Sequence, residues 1–131
     1  MQFRKLFVRQ TAEAPHLVLG RFGEDVATRY LEHIGYSIRA RNVHVGKDEI
    51  DIVAFDPSDR VLVFVEVKTR ARYEEDFLPA ANAGLKKWRR LHRGVTRYLH
   101  QKKFEGPSRF DLVSVVSGKV FDHVKEVGGW F

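Results

Sequence analysis

The stretch Glu49-Ile-Asp-Ile-Val-Ala-Phe-Asp-Pro-Ser-Asp-Arg-Val-Leu-Val-Phe-Val-Glu-Val-Lys68 decides how this chain folds. Two runs rich in β-branched and aromatic residues, Glu49–Phe55 and Arg60–Lys68, flank Pro57-Ser58-Asp59. That composition reads as two strands joined by a tight turn. A turn centred in Pro57–Arg60 sets Asp51 opposite Glu66 and Glu49 opposite Lys68. Alternation then gives Asp51, Val53 and Phe55 a common face with Leu62, Phe64, Glu66 and Lys68. Strand cores rarely carry carboxylates, because an unpaired buried charge is costly. Opposed like charges also repel, so Asp51 and Glu66 need a shared proton or a cation between them. The reading depends on register, since a slip of one residue sends the two acids to opposite faces.

Composition narrows the chemistry. With 131 residues, 44% hydrophobic and 31% charged, the chain fits one soluble domain with a core of its own. There is no cysteine, so disulfides, thiolate metal sites and cysteine nucleophiles are excluded. The six histidines are scattered, with no pair at helical metal-ligand spacing, which argues against zinc. The longest run of bulky apolar residues, Val61–Val65, is far short of a membrane span. No apolar segment of signal-peptide type follows the first residues. The expectation is a cytoplasmic protein with no membrane partner. The net charge of +6 favours a polyanion, nucleic acid first.

Around the hairpin the pattern reads as helix, three strands, helix, two strands. Residues 1–15 are the least patterned and read as an N-terminal extension, leaving 16–131 as one domain. Leu19, Phe22, Val26, Tyr30 and Ile34 recur at steps of three and four, predicting a helix over Val18–His33 that Gly35 ends. Tyr36–Val45 reads as a strand, and Thr69–Leu78, with its acidic run Glu74-Glu75-Asp76, as a loop. A second helix is expected over Ala80–Gln101, with Ala81, Leu85, Trp88, Leu91 or His92, Val95 and Leu99 as its apolar stripe. Phe110–Val116 and Val120–Val124 close the chain as a hairpin around Ser117-Gly118. The fold class is therefore α/β, a mixed sheet of about five strands flanked by two main helices.

From Leu85 to Lys103 there is no acid, while Lys86, Lys87, Arg89, Arg90, Arg93 and Arg97 accumulate on the second helix. Such a run is either a solvated face or a phosphate-binding one. Arg70, close behind Lys68, is a further phosphate candidate. An isolated Glu-x-Lys on a strand is most often an edge-strand ion pair. Preceded by a hairpin that carries Asp51, and set in a central strand, the same motif points instead to metal-assisted chemistry. Glu24, in Gly23-Glu24-Asp25, reads on spacing alone as part of a solvated helix face.

Gly23-Glu24, Ala27, Tyr30-Leu31, Gly35-Tyr36, Asn42, Glu49-Ile-Asp-Ile-Val53 and Phe64-Val-Glu-Val-Lys-Thr-Arg70 together resemble the YraN-like family of bacterial proteins. Lys87, Arg90-Leu91, Tyr98-Leu99 and Arg109-Phe-Asp-Leu-Val113 continue the likeness, which spans roughly residues 20–125. The resemblance implies a restriction-endonuclease-like fold, close to archaeal Holliday-junction resolvases, with a PD-(D/E)xK site. It implies Asp51 and Glu66 as ligands of Mg²⁺ or Mn²⁺, Lys68 as catalytic lysine and Glu24 as a helix-borne acid. Asp48 departs from the family pattern, which has glycine there. The function expected is metal-dependent nuclease action on nucleic acid, DNA before RNA, with branched DNA among the candidates and a homodimer left open. The alternative is a non-catalytic nucleic-acid-binding module with the same fold.

Overall fold

The hairpin its composition calls for is the centre of the molecule, and everything else is laid on it. The structure, a computed structural model, describes residues 15–72 and 80–127. Helix α1 (Pro15–His33) leads into three antiparallel strands: β1 (Ser37–Val45), β2 (Asp48–Asp56) and β3 (Val61–Arg70). Helix α2 (Ala80–Gln101) follows, then β4 (Ser108–Val116) and β5 (Lys119–Val124). The sheet is five-stranded and mixed, in the order β1-β2-β3-β4-β5. β4 runs parallel to β3, which no tight turn can arrange, and α2 belongs to the crossover this requires. Thr69 and Arg70, expected in a loop, continue β3 because Val115 and Val116 of β4 pair with them. The rest of that expected loop, from residue 73, and the N-terminal extension before Pro15 lie outside the described residues. Among the described residues no helix is long and apolar enough to cross a membrane.

One helix covers each face of the sheet. Trp88, Leu91 and Val95 of α2 pack with Val53, Leu62, Phe64, Phe110 and Leu112. Within that layer the Trp88 ring stacks on Phe110, with centroids 5.0 Å apart. Gly94 lets α2 approach the β1–β2 turn closely, since a Cβ there would fall 1.9 Å from a Val45 methyl. On the other face Ala27 and Leu31 of α1 pack with Ile52, Ala54, Val61, Val63, Val65, Val113 and Val115. The expected stripe of α1 is corrected in part: Val26 and Tyr30 pack against this cluster as expected. Phe22 and Ile34 stay exposed, and the buried row is Gly23, Ala27 and Leu31, whose small members seat the helix tightly on the strands.

A buried cation closes one end of the sheet. Arg109, at the start of β4, is fully buried, and its Nε donates to Asp111 Oδ1 at 2.9 Å. Nη2 donates to Asp56 Oδ2 at 3.0 Å, to Asp111 Oδ2 at 3.2 Å and to the Tyr36 hydroxyl. Nη1 reaches Asp59 Oδ2 in the β2–β3 turn at 3.0 Å. Burial works against the guanidinium charge, and the Asp111 and Asp56 hydrogen bonds outweigh it. Burial likewise opposes the Asp111 carboxylate, which His123 and Arg109 nevertheless hold below its ordinary pKa. His123 Nε2 lies 2.8 Å from Asp111 Oδ2, and its Nδ1 lies 2.9 Å from the Tyr30 hydroxyl.

Arg109→Met, which keeps the bulk and removes the charge, should cost about 3–5 kcal/mol in urea unfolding, because it strands buried carboxylates. Asp56 and Asp111 both have lowered pKa values. The stability they confer is therefore present above about pH 4, the unfolded-state value, and is lost as pH falls through their lower folded values. The variant should lack most of that acid-side slope. A variant within 1 kcal/mol of the parent would show that the network holds nothing together.

Candidate active site at the strand fork

β2 and β3 pair from Asp56↔Val61 back to Ile52↔Val65, and there the ladder ends. This is the register that sets Asp51 against Glu66. Beyond it β2 stays with β1 as far as Val45↔Asp48, while β3 stays with β4 as far as Arg70↔Val116. The two strands part in a fork, and Asp51 and Glu66 stand where it opens. Asp51 Oδ2 accepts the Val67 backbone N–H at 2.7 Å, so the side chain satisfies a donor just past the last ladder pair.

Simple alternation does not deliver Asp51. Ile50 packs in the α2-side cluster with Val53, whereas Ile52 packs on the α1 side. Alternation would keep Ile50 with Ile52, so the break falls at Asp51. Across from it, the pairs Arg41↔Ile52 and Val43↔Ile50 bracket Asn42, whose φ is +53°. Asparagine is among the few residues that accept this left-handed backbone at little cost. With its amide nitrogen turned to the neighbouring carboxylates, Asn42 donates to Glu49 Oε1 at 2.9 Å and to Glu24 Oε2 at 3.1 Å. The kink in β1 thus faces the twist in β2, and its side chain ties down two acids.

Glu24 comes from the opposite layer. A Cβ on Gly23 would lie 2.0 Å from Thr69 Oγ1, so only glycine lets α1 settle on the end of β3. The next residue, Glu24, is thereby brought beside Asp51, whose charge raises its pKa. Arg41 Nη2 reaches Glu24 Oε2 at 3.5 Å and Asp25 Oδ1 at 2.9 Å. Both helices therefore act on Asp51: α1 through Glu24 and α2 through Lys87.

The acids at the fork hold protons more tightly than free carboxyls do. Burial raises Glu66 to about 7, and the Asp51 charge pushes the same way. Lys87, whose Nζ lies 2.7 Å from Glu66 Oε2, and Lys68 pull it down without cancelling the rise. Asp51 is raised by burial, against the Val67 N–H and Lys87. Glu24 is raised by burial first and by Asp51 second. Perturbation of this kind is concentrated where proteins do chemistry.

Asp51, Glu66 and Glu24 are thus gathered at the fork, with Lys68 acting on Glu66 from two residues along β3. The basic helix is less uniform than its letters suggest. Lys86, Arg89, Arg93 and Arg97 are exposed, but Lys87 turns inward to Glu66. Arg90 grips Asp48 through Nη2 at 3.2 Å and Nε at 3.4 Å. Asp48 consequently has a lowered pKa and its charge is matched from α2. Arg70 is half-buried, with Nη1 donating to the Thr69 carbonyl at 2.9 Å. Two contributors escape sequence reasoning: Asn42 and the inward role of Lys87. An asparagine inside a strand run was the signal for the first. The position of Lys87 beside Trp88, at the border of the apolar stripe, was the signal for the second.

Among the described residues no three acid, histidine or cysteine side chains stand together as a metal cage. The pair Asp51 and Glu66 remains, hard oxygen donors with raised pKa values. That set suits Mg²⁺, which keeps several waters and takes one or two protein carboxylates.

Together these features define an α/β protein with a carboxylate–lysine cluster at the fork of a mixed sheet. The chain belongs to the family described as Uncharacterised protein family UPF0102, whose family model matches residues 23–115. It is similar to a UPF0102 protein of Bacteroides fragilis, 40% identical over 118 residues, covering 86% of this chain and 93% of the relative. A UPF0102 protein of Phocaeicola vulgatus is 34% identical over 116 residues, with the same coverage of each chain. One of Kosmotoga olearia is 39% identical over 113 residues, covering 85% of this chain and 93% of the relative. The matched span opens at Gly23 and so contains every residue of the fork.

In metal-free protein Glu66 should titrate near pH 7, readable by carboxyl NMR. Its folded pKa lies above the unfolded value, so its contribution to stability is fully present below about pH 4.3 and is lost as pH rises through about 7. Urea unfolding at pH 5 and pH 8 should show the parent losing stability with rising pH and Glu66→Gln losing much less. Equal behaviour of parent and variant would mean that Glu66 is not under strain.

Proposed function

We propose that the protein is a metal-dependent nuclease with a restriction-endonuclease-like fold, cutting phosphodiester bonds in nucleic acid, DNA before RNA. The observation that carries this reading is the fork itself: Asp51 and Glu66, half-buried and with raised pKa values, beside Lys68 and bordered by a basic helix. The order of helix, antiparallel three-strand unit, helix and two strands supports the fold assignment.

Asp51 and Glu66 would hold Mg²⁺ or Mn²⁺, and the bound ion would supply Lewis acidity and a water of lowered pKa. The residues of the chain do the rest. The exposed cations of α2 draw in the backbone and fix it by its phosphates. Lys68 stands two residues beyond Glu66, positioned to orient the attacking water and to meet charge that develops on the phosphate. Glu24, with its raised pKa, is a proton acceptor close to Asp51.

One observation favours a second reading, a nucleic-acid-binding module without turnover. Lys87 already supplies Glu66 with a counter-ion at 2.7 Å, the role a metal would take. The two readings part on a single set of variants of the full chain, assayed with Mg²⁺ or Mn²⁺ on linear, flapped and four-way DNA. For a nuclease, Lys68→Ala lowers cleavage by roughly 10²–10³-fold and leaves metal binding nearly intact. Asp51→Asn loses both. Mg²⁺ should also raise the unfolding midpoint of Lys87→Gln, by replacing the lost ammonium. A wild-type protein that binds DNA, cuts none of these substrates and takes up no metal leaves the binding module in its place.

Affinity for DNA should be electrostatic and nearly independent of sequence. On duplex DNA, log K against log salt falls by roughly 0.9 per phosphate contact. Changing Lys86, Arg89 and Arg93 together to alanine should flatten the slope by up to about 2.7 if all three contact phosphate. An unchanged slope removes the exposed face of α2 from the interface.

A further inference from the structure

We infer that the cleft between β1, the α2-side face of the β2–β3 hairpin and the C-terminal end of α2 is a binding site for one unpaired nucleotide, base and phosphate together. The inference rests on the nucleic-acid reading above for its polymer, and it adds to that reading a preference for unpaired strands.

The cleft has a volume of about 310 Å³. Ala40, Val53 and Leu62 make an apolar floor, Tyr98 and Phe104 supply aromatic walls, and Arg39 and Lys102 stand at the rim. No acid lines it, and its two rim cations repel a cationic ligand and favour an anion. Neither rim cation forms an ion pair among the described residues. Instead Arg39 lies over the Phe55 ring at 5.1 Å and Lys102 over the Tyr98 ring at 5.8 Å. Tyr98 is in turn held edge-on against Phe64, with centroids 5.9 Å apart, so its orientation is set before any ligand arrives. A ligand that satisfies floor, walls and rim at once has a flat apolar face and an anion. A nucleotide has both, and stacking on an aromatic ring accepts any base. The volume is at the small end for ligand pockets, enough for one nucleotide and not a run of them.

The position suits a strand that passes the fork. Val53 is two residues from Asp51 along β2, about 7 Å. Tyr98 is eleven residues from Lys87 along α2, about 16 Å. On the way, Lys47, Arg90, Arg93 and Arg97 border a second cleft of about 360 Å³ between the β1–β2 turn and α2. At about 3.4 Å per stacked nucleotide, the cleft lies roughly two to five nucleotides from the fork by these two routes. The geometry favours substrates that offer an unpaired segment at that distance.

The test uses the full chain in EDTA, so that nothing is cut. The dissociation constants of a blunt duplex and of the same duplex with a five-nucleotide overhang are compared. One stacked base should make the overhang substrate roughly tenfold tighter. Tyr98→Leu should bring the ratio of the two constants close to one. Because Tyr98 also packs on Phe64, Arg39→Gln and Lys102→Gln, both at exposed positions, carry the test if that variant unfolds. A second arm follows the Tyr98 and Phe104 ring resonances with adenosine monophosphate and with ribose 5-phosphate. Adenosine monophosphate should saturate at a concentration at least tenfold lower. Saturation by the nucleotide without an overhang preference makes a free nucleotide the ligand of the same site. A ratio of one in the wild type with equal response to the two small molecules overturns the inference, as does a preference that all three variants keep. Cleavage assays with metal remain separate: absent cleavage with a lost ratio in the variants sinks the nuclease and leaves the cleft, and active cleavage with an unaltered ratio does the reverse.

Discussion

A single guanidinium fixes the geometry on which the rest of the molecule depends. Arg109 joins the end of β2 through Asp56, the turn after it through Asp59, β4 through Asp111 and the approach to β1 through Tyr36. Burying one cation against several carboxylates is expensive unless each partner is satisfied, and here each has a hydrogen bond. Three stretches distant in sequence, at Tyr36, at Asp56–Asp59 and at Arg109–Asp111, are thereby locked at one end of the sheet. Strands twist as they run, so a hairpin fixed at its turn accumulates divergence toward its open end. The fork at Asp51 and Glu66 is where that divergence ends the pairing.

The open end has the opposite character. There the carboxyl groups have raised pKa values, because burial and mutual repulsion outweigh Lys87 and Lys68. At the closed end carboxylates have lowered values because the cation prevails. One protein thus holds two acid clusters with contrary electrostatics, separated by a few residues of strand. The Arg109 cluster stabilises the fold when ionised, and the fork weakens it when ionised without a cation.

Much of this was legible in the letters, and the reasons differ for what was not. The β2–β3 register followed from a short turn between two apolar runs, a local constraint, and the bounds of α2 followed from its periodicity. The gathering of Asp51 and Glu66 followed from that register but also involves a break in alternation at Asp51, which no turn signal encodes. The stripe of α1 was misplaced at Phe22 and Ile34 because large apolar residues were weighted over small ones, whereas close packing on a sheet favours Gly23 and Ala27. The Arg109 network joins residues up to 73 positions apart, and no period or turn signal encodes that. The inward turn of Lys87 depends on how α2 lies across the sheet, which is fixed by Gly94 against Val45 and not by the charge pattern of the helix.

The irregularities of β1 have a consequence for how copies of the protein meet. β1 is a border strand of the open sheet, with a row of backbone groups turned away from β2. Such a row is a template on which another chain can add a strand. Here the register shifts between Ile38 and Ala40, and two residues later the backbone turns left-handed at Asn42. Arg39 and Arg41 stand exposed along the same stretch. An incoming strand would meet broken spacing, the Arg39 charge and the Arg41 ion pairs where it needs a straight, neutral edge. The distortion that places Asp51 therefore also guards this border against edge-to-edge aggregation.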